Sequence, residues 1–493
     1  MSRFNTLTKG KTKTTNLAGG DAYTQTPELE LLSILLTSFV SDSFYRSADD
    51  TLTRLKEVLG KVDPKFAAKA AIFARDKFGM RSITHALSGE LTPYISGQDW
   101  GKNFYDKVVV RPDDMTEILS YYIANMTDSN NPKFPNSIKK GFAKAFDKFD
   151  DYQIAKYKNE RKEVKLIDVV NLFRPVPTTK NSKALEELVN GTLKSSGTWE
   201  SELSNAGQDA SSKQEVEKRK NQVWSELLSE RKIGYFALLR NLRNIINQAP
   251  DAIPMACDLL ADEKMIAKSR VLPFRYKTAH DEISKLDSNR QTRDIIVAID
   301  KALDTSVSNV PKFAGETLVV IDTSGSMRGG YYFGNRNPDR KSPAEISSLF
   351  GAILAKSNNC DVMTFDTTAR YETYNPNDSV SSIKDSFSFN GGGTNFHNIF
   401  KTANKAYDRI IILSDMQGWI GRYTPVKEYN EYKKRFGCNP YIYSWDLQGY
   451  GTMQFPENNV FCLAGFSDKV FDIMKWLETD RNIVYSMIDA IEI

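Results

Sequence analysis

The sequence predicts an α-helical solenoid over residues 21–310, followed by an α/β domain over residues 316–493. Before residue 316, helix-length amphipathic segments follow one another with short polar, Pro or Gly breaks, and strand-like alternation is nearly absent. After residue 316, aliphatic runs alternate with helical segments, which is typical of a doubly wound, mainly parallel sheet. A chain of 493 residues is also too long for one ordinary domain.

The elements that precede and join these two parts are predicted from local composition. Residues 1–20 are basic and polar, which predicts a flexible arm. Thr26 and Pro27 suit the N-cap and first position of a first helix. The charged residues 194–231 predict an exposed helical excursion, and residues 311–315, with one Pro and one Gly, predict a linker.

Composition excludes two broad classes of protein. The chain has no run of eighteen apolar residues, so no membrane span is predicted. Its basic, polar start lacks the apolar core of a secretory signal. The four cysteines are far apart and form no Cys-x-x-Cys pair, which indicates free thiols in a reducing cytosol. We therefore expect a cytoplasmic protein.

The net charge is unevenly distributed. Residues 316–493 carry 18 Lys and Arg against 21 Asp and Glu, whereas the first 315 residues carry 48 against 41. The basic excess therefore lies in the helical part. It is compatible with nucleic-acid binding, and equally with a solvated helical surface.

Oxygen-bearing side chains follow two strands that are predicted to be buried. The run TLVVID ends in Asp322, and Ser324 and Ser326 come directly after it. Thr394 follows three glycines, and Asp415 ends the run RIIILSD. Functional groups gather at the carboxyl ends of parallel strands, and hard oxygen ligands suit Mg²⁺ or Mn²⁺. The sequence therefore predicts a divalent-cation site made of Asp322, Ser324, Ser326, Thr394 and Asp415.

Two other interpretations of these residues compete with a metal site. The Ser and Thr side chains can instead cap helices and turns without binding an ion. A serine nucleophile would call for G-x-S-x-G after a strand, whereas this chain reads D-T-S-G-S with no His or Lys base in these motifs. We therefore expect no enzymatic activity.

The set resembles the metal-ion-dependent adhesion site of the von Willebrand factor A domain. D-x-S-x-S, Thr and Asp all occur here in that order and in the expected secondary structure. The resemblance implies that Asp322, Ser324, Ser326 and Thr394 supply ligands and that Asp415 acts largely through water. It also implies that a partner's carboxylate completes the site.

Further segments resemble the TROVE-module family, which includes the Ro autoantigen and its bacterial relatives. They are PNSIKKGFAKAFDKFDDYQIAKYKNERKEVKLIDVVNLFRPVP, GYFALLRNLRNI and SRVLPFRYKTAH, in this order before LVVIDTSGSM. The resemblance covers about residues 21–493. It implies a ring of HEAT-like helical repeats closed by a Rossmann-like von Willebrand factor A domain. It also implies binding of small structured, Y-like non-coding RNA on the outer surface and of single-stranded ends of misfolded RNA in the central hole. In bacteria it implies tethering to an exoribonuclease.

Cations in the first of these segments are the predicted RNA-binding residues. They flank helix starts or loops, where long cations suit phosphate contact, although a solvated helix face is the alternative for each. Family members usually show L-R-L-x-H-P where this chain reads VVNLFRP, so Asn171 replaces the usual Arg and Arg174 the usual His. Arg174 keeps a donor and gains a permanent charge. The predicted residues are Lys139, Lys140, Arg161, Lys162, Lys165 and Arg174.

The preferred interpretation is a non-enzymatic, RNA-binding ribonucleoprotein component that acts as a scaffold or RNA quality-control factor. The alternative is a metal-dependent, protein-binding adaptor whose adhesion-type site captures an acidic side chain of a partner.

Overall fold

The protein divides into a helical part and an α/β domain, as the sequence predicts. The computed structural model describes residues 13–16, 18–24, 26–37, 48–126, 133–158, 162–194, 203, 212–328, 342–418, 420, 425–447, 452–454, 460–464, 469–479 and 483–493. No helix among these residues is long and apolar enough to cross a membrane.

The helical part is a succession of short helices that bury their apolar stripes against one another. Helix α3 shows how the sequence sets their bounds. Asp63 caps it by accepting a hydrogen bond from the Phe66 amide at 2.9 Å, Pro64 takes the first position, and Gly79 ends it in a left-handed conformation (φ 65°). The helices are α1 Pro27–Thr37, α2 Ala48–Leu59, α3 Pro64–Phe78, α4 Ser82–Glu90, α5 Thr92–Ile95, α6 Gly101–Val108, α7 Pro112–Ala124, α8 Asn136–Ala145, α9 Asp151–Lys156, α10 Leu166–Phe173, α11 Ser182–Val189, α12 Lys213–Ser229, α13 Tyr235–Gln248, α14 Ile253–Leu260, α15 Glu263–Ser269, α16 Pro273–Ser284 and α17 Arg290–Ser306.

A buried charge network joins α3, α4 and α7. The Asp114 carboxylate is fully buried and lies 2.8 Å from the Arg75 guanidinium and 3.0 Å from Nε2 of His85. It also accepts the Val110 and Arg111 amides, both at 2.9 Å, at the start of α7. Burial alone would raise the pKa of Asp114, but the hydrogen bond from His85 and the Arg75 charge outweigh it and hold that pKa well below its ordinary value. This carboxylate therefore fixes the packing of three helices.

The α/β domain is built on a six-stranded sheet of order β5-β4-β3-β6-β7-β9. Only β5 runs antiparallel to its neighbour. Every residue of β3 and β6 is buried, as expected for central parallel strands. The strands are β3 Thr317–Asp322, β4 Asp361–Phe365, β5 Ala369–Glu372, β6 Arg409–Ser414, β7 Tyr441–Asp446 and β9 Val460–Ala464. The helices are α18 Pro343–Asn358, α19 Val380–Ser386, α20 His397–Thr402, α21 Val426–Phe436, α22 Lys469–Thr479 and α23 Ile483–Asp489.

The α/β domain contacts the helical part at two places that are far apart in sequence. Near the linker, the rings of Phe274 on α16 and Phe350 on α18 stack with centroids 6.2 Å apart. At the other end of the array, the ring of Tyr485 on α23 stacks on Phe66 of α3 at 5.2 Å. Lys107 also donates to the Glu492 carbonyl at 2.6 Å. Both ends of the helical array are thus held by one domain.

The N-terminal prediction is wrong for part of residues 1–20. Lys13–Thr15 form strand β1, which pairs with β2 (Asp21–Thr24), and β2 pairs in turn with β8 (Thr452–Met453). Backbone hydrogen bonds hold β1 on β2, and β2 is itself held by a strand more than 400 residues away, so a segment whose own composition favours disorder is ordered. Residues 1–12 and residue 17 of the predicted arm lie outside the described residues.

The charged excursion is helical where the structure describes it, but it is not wholly exposed. Helix α12 buries Trp224, Leu227 and Leu228. The Trp224 indole donates to Gln248 of α13 at 3.0 Å. The apolar side chains in the last two turns of α12 are therefore packed against the protein, although the overall charge of the segment predicts that it stays in solvent.

Candidate metal centre and basic surface

The loop after β3 begins at a carboxylate that is completely buried. Asp322 ends β3, and its Oδ1 atom accepts the Ser324 amide at 2.9 Å. Its Oδ2 atom accepts the hydroxyl of Ser414, at the end of the neighbouring strand β6. These two hydrogen bonds fix the orientation of the carboxylate at the carboxyl edge of the sheet.

The two serines of the motif lie side by side, with one of them open to solvent. The hydroxyl oxygens of Ser324 and Ser326 are 3.2 Å apart. Ser324 is buried, whereas Ser326 is exposed. The loop therefore has one accessible side, through which a group from another molecule can reach it.

A glycine loop brings Thr394 to the same edge. The Gly391 amide donates to the Thr323 carbonyl at 3.0 Å, and the Gly325 amide donates to the Gly392 carbonyl at 2.9 Å. A Cβ atom at Gly392 would lie 2.7 Å from the hydroxyl of Thr367, so this close approach requires glycine. Thr394 follows directly and is buried, with 2% of its surface exposed.

Asp415 supplies the second buried carboxylate. It directly follows β6, which is hydrogen-bonded to β3 along its length. Its Oδ1 atom accepts the Gln417 amide at 3.1 Å. Its Oδ2 atom is buried, and no hydrogen-bond partner reaches it among the described residues. Such an orphaned carboxylate oxygen is costly in a protein interior unless a ligand satisfies it.

Both carboxyl groups have raised pKa values. Burial, followed by the nearby charge of Asp415, raises the pKa of Asp322 to about 7. Burial also raises the pKa of Asp415, against the opposing influence of the nearby Ser326 hydroxyl. Two buried acids that share one edge are destabilising when both are ionised, and a divalent cation between them would remove that cost.

This raised pKa predicts how the stability of the metal-free protein depends on pH. An unfolded Asp titrates near 3.9, so between about pH 4 and about pH 7 the folded state keeps a proton that the unfolded chain has released. The free energy of unfolding contributed by Asp322 therefore falls as pH rises through this range. We expect calorimetry in a chelator to show that the advantage of Asp322→Asn over wild type grows from pH 5 to pH 8.

The difference in the free energy of unfolding between wild type and Asp322→Asn isolates the titration of Asp322. Burial lowers the pKa of His85, which destabilises the folded protein below about pH 6.5 in both proteins alike. A difference that does not change with pH would show that Asp322 titrates as an ordinary carboxyl group.

The predicted ligands therefore meet at one edge of the sheet, and their chemistry fits a hard divalent cation. Two carboxylates and three hydroxyl groups suit Mg²⁺ or Mn²⁺, which retain water ligands. The described residues contain no group of three or more His, Cys, Asp or Glu side chains that could hold a metal ion. A metal site here would therefore depend on the hydroxyl groups of Ser324, Ser326 and Thr394 as well as on its two carboxylates.

Sequence reasoning missed several residues that shape this edge. Ser414 orients Asp322, although its position one residue before Asp415 at a strand end was visible. Asn16 is buried and donates to the Gly418 carbonyl at 2.7 Å, which ties the N-terminal strands to the loop after Asp415. Gln454, also buried, donates to the Met416 carbonyl at 3.0 Å. No local pattern indicated these two long-range contacts.

The cations predicted to bind RNA lie on and around α8 and α10. Lys139 and Lys140 are exposed on α8, which packs against α10. Lys165 is exposed at the N-cap of α10, and Arg174 is exposed at its C-cap, in a left-handed conformation (φ 49°). Both ends of α10 therefore present a cation to solvent.

Two of the predicted cations stand apart from this set. Lys162 is exposed but forms an ion pair with Glu117 of α7, so its charge is already partly neutralised within the protein. Arg161 lies outside the described residues. Lys162 is thus less suited to phosphate than predicted, because Glu117, 45 residues earlier in the chain, already pairs with it.

A groove of about 710 Å³ adjoins the C-terminal end of α10. Arg174 lies at this groove together with the polar side chains of Asn171 and Asn190. Val176, at 77% exposure, and Leu172, at 48%, are exposed in the same segment. The surface thus combines a cation, two amides and apolar side chains beside one opening. The complete lining is Val170, Asn171, Arg174, Pro175, Pro177, Ser182, Leu185, Glu186, Val189 and Asn190.

Comparisons with known proteins agree with this architecture. Telomerase protein component 1 of Mus musculus is 22% identical over 362 residues, which cover 55% of this chain and 13% of that protein. The Rattus norvegicus protein of the same name gives the same values. The chain thus corresponds to a small fraction of the length of these relatives.

Among solved structures, the crystal structure of the Deinococcus radiodurans RO (RSR) protein has the same fold. The TM-score is 0.62 at 14% sequence identity, over 89% of this chain and 97% of that chain. A family model described as the TROVE domain matches residues 40–195 and 189–310. Because that match covers more than half of the chain, the protein belongs to the TROVE-domain family.

Proposed function

We propose that this protein is an RNA-binding component of a ribonucleoprotein, acting in the cytoplasm as a scaffold or quality-control factor without catalysis of its own. Its ligands would be small structured, Y-like RNA and the single-stranded ends of misfolded RNA. An exoribonuclease tethered through the structured RNA is a further proposed partner. Membership of the TROVE-domain family and the likeness to a telomerase component support this proposal.

The observation that carries the proposal is a set of uncompensated cations around α8 and α10. Lys144 and Lys148, the next two lysines along the chain after Lys140, pair with Asp106 at 3.3 and 3.0 Å. In contrast, within the part of the chain that the structure describes, no carboxylate forms an ion pair with any of the four members of this set. Cations left free at helix ends suit phosphate groups, whose binding releases counterions. These members are Lys139, Lys140, Lys165 and Arg174.

A salt titration of structured RNA tests the proposal. Filter binding of a labelled hairpin RNA should weaken steeply and linearly on a log–log plot as salt rises from about 50 to about 200 mM. Feeble binding that does not respond to salt would contradict it.

Charge reversal should locate the surface. Lys140→Glu combined with Lys165→Glu is expected to weaken hairpin binding about tenfold or more and to flatten the salt slope, because two phosphate contacts become repulsive. Lys162→Glu should have a smaller effect, since Glu117 already compensates Lys162.

Lys427→Glu, on a highly exposed lysine of α21 that pairs with Glu431 at 3.8 Å, is the matched control for Lys162→Glu and should leave hairpin affinity within about twofold. Equal losses in all three variants would show that binding follows net charge and not the α8–α10 surface.

A second candidate function is a metal-dependent adaptor that captures an acidic residue of a protein partner. The orphaned Oδ2 atom of Asp415 and the exposed hydroxyl of Ser326 favour it. In this proposal Mg²⁺ or Mn²⁺ is held by Asp322, Ser324, Ser326, Thr394 and Asp415, with one coordination position for the partner's carboxylate. A divalent chelator should then release the protein partner and leave hairpin RNA binding unchanged.

A further inference from the structure

Helix α13 carries an exposed stripe on the side opposite its packed face. Four residues recur at helical spacing, which places them along one line about 16 Å long at the usual rise per residue. They are Phe236, Arg240, Arg243 and Asn247, and all four are exposed. We refer to them as the α13 stripe. The opposite face buries Leu238, Leu239, Leu242, Ile245 and Ile246.

The aromatic residue of the stripe is only partly covered by the protein. Phe236 is 41% exposed. The guanidinium groups of Arg240 and Arg275 lie 5.8 and 5.7 Å from its ring centroid. Closer stacking occurs elsewhere, where Arg111 lies 4.3 Å from the Tyr157 ring. The two cations therefore flank the Phe236 ring at a greater distance than Arg111 keeps from Tyr157, and part of the ring stays exposed to solvent.

The charges of the stripe are not neutralised by the protein. Neither Arg240 nor Arg243 forms an ion pair with any residue that the structure describes. Neighbouring cations do so, since Arg231 lies 2.9 Å from Asp262 and Lys277 pairs with Asp281. The stripe thus offers an exposed ring followed by positive charge along one helix face.

We propose that the α13 stripe is a stacking platform for single-stranded RNA, with one base on Phe236 and the following phosphates at Arg240 and Arg243. Aromatic rings interleaved with cations are the usual means of holding unpaired strands, because every base has a face that can stack. Paired bases within a duplex already stack on each other and cannot use the ring. The larger rings of purines should stack better than those of pyrimidines.

This inference rests on the proposed RNA-binding function and assigns its single-stranded ligand to a surface separate from α8 and α10. An acidic peptide would also be attracted to the two arginines, but it would gain little from Phe236. Phe236 is therefore the residue whose replacement distinguishes RNA binding from the binding of other polyanions.

The test uses the full chain and an eight-nucleotide oligoadenylate that contains one 2-aminopurine, whose fluorescence is quenched by stacking. Phe236→Leu should weaken binding about tenfold and remove the quenching, whereas Phe236→Tyr should keep both. Arg240→Ala with Arg243→Ala should lower the salt slope. Tyr94→Leu, on a tyrosine that is 42% exposed elsewhere in the helical part, is the matched control. Hairpin RNA is titrated in parallel, and it should respond to none of these variants.

The outcomes separate this inference from the proposed function. Unchanged affinity and quenching in Phe236→Leu would overturn the inference, as would equal competition by polyglutamate. Hairpin binding without any single-strand binding would overturn it and leave the proposed α8–α10 surface standing. Single-strand binding that depends on Phe236, together with hairpin binding that ignores Lys140 and Lys165, would support the inference and contradict that surface.

Discussion

Replacement of Asp322 by alanine is expected to lower the affinity for Mg²⁺ at least about 100-fold while the α/β domain stays folded. Asp322 is one of the two carboxylates among the five predicted ligands, and removal of even an outer-shell partner of a metal typically costs 10- to 100-fold. Folding should survive because a strained pair of buried acids is relieved at the same time. Isothermal titration calorimetry with Mg²⁺ and with Mn²⁺ measures the effect.

Two variants serve as controls for this result. Asp385→Ala removes the same charge from a position where the carboxyl group is 69% exposed, so it should bind metal as wild type does. Asp322→Asn keeps the shape and an acceptor for the Ser324 amide, and it should lose the ion with less structural change. Unchanged metal binding in Asp322→Ala would place the ion elsewhere or nowhere in the domain.

Replacement of Asp114 by leucine is expected to destabilise the protein by about 3–5 kcal/mol, because it leaves a buried charge without its partner. Arg75 is only 5% exposed and would lose the carboxylate that lies 2.8 Å away. The Val110 and Arg111 amides would also lose their acceptor at the start of α7. Urea denaturation followed by circular dichroism of the helical part gives the free energy of unfolding.

The exposed pair of Lys183 and Glu187 provides the comparison, since these groups lie 4.0 Å apart on the surface of α11. Lys183→Ala should change the free energy of unfolding by less than about 1 kcal/mol. Combining Arg75→Met with Asp114→Leu should recover part of the loss, because no unpaired charge then remains in the interior. A loss below about 1 kcal/mol for Asp114→Leu alone would mean that the network is not a stabilising centre.

The convergence of the predicted ligands at one edge of the sheet could be predicted because its signals are local. Asp322 and Asp415 end runs of mainly aliphatic residues, the two serines come directly after the first run, and Thr394 follows three glycines. Parallel strands bring their carboxyl ends to one edge. Ser414 was missed because a serine inside a strand pattern carries no signal until its neighbour across the sheet is known. Ser414 acts on Asp322, 92 residues away.

The remaining errors share this physical cause. Strand β1 is polar and only three residues long, and it is ordered by β2, which pairs in turn with β8 near the other end of the chain. Lys162 is a cation of the type that binds phosphate, but Glu117 on α7 pairs with it. Trp224 lies in a charged segment, but it is buried against α13. Local composition sets what a segment prefers, and a distant partner decides what it does.

The attachment of the α/β domain to both ends of the helical array limits how the molecule can move. A domain held only by the linker would swing as a free hinge. Here, rotation at the contact of Phe274 with Phe350 must be matched at the contact of Tyr485 with Phe66, or one of these stacks must open. Large independent reorientation is therefore suppressed. Any signal from the metal loop to the helical surfaces would have to pass through small, correlated shifts at the two junctions.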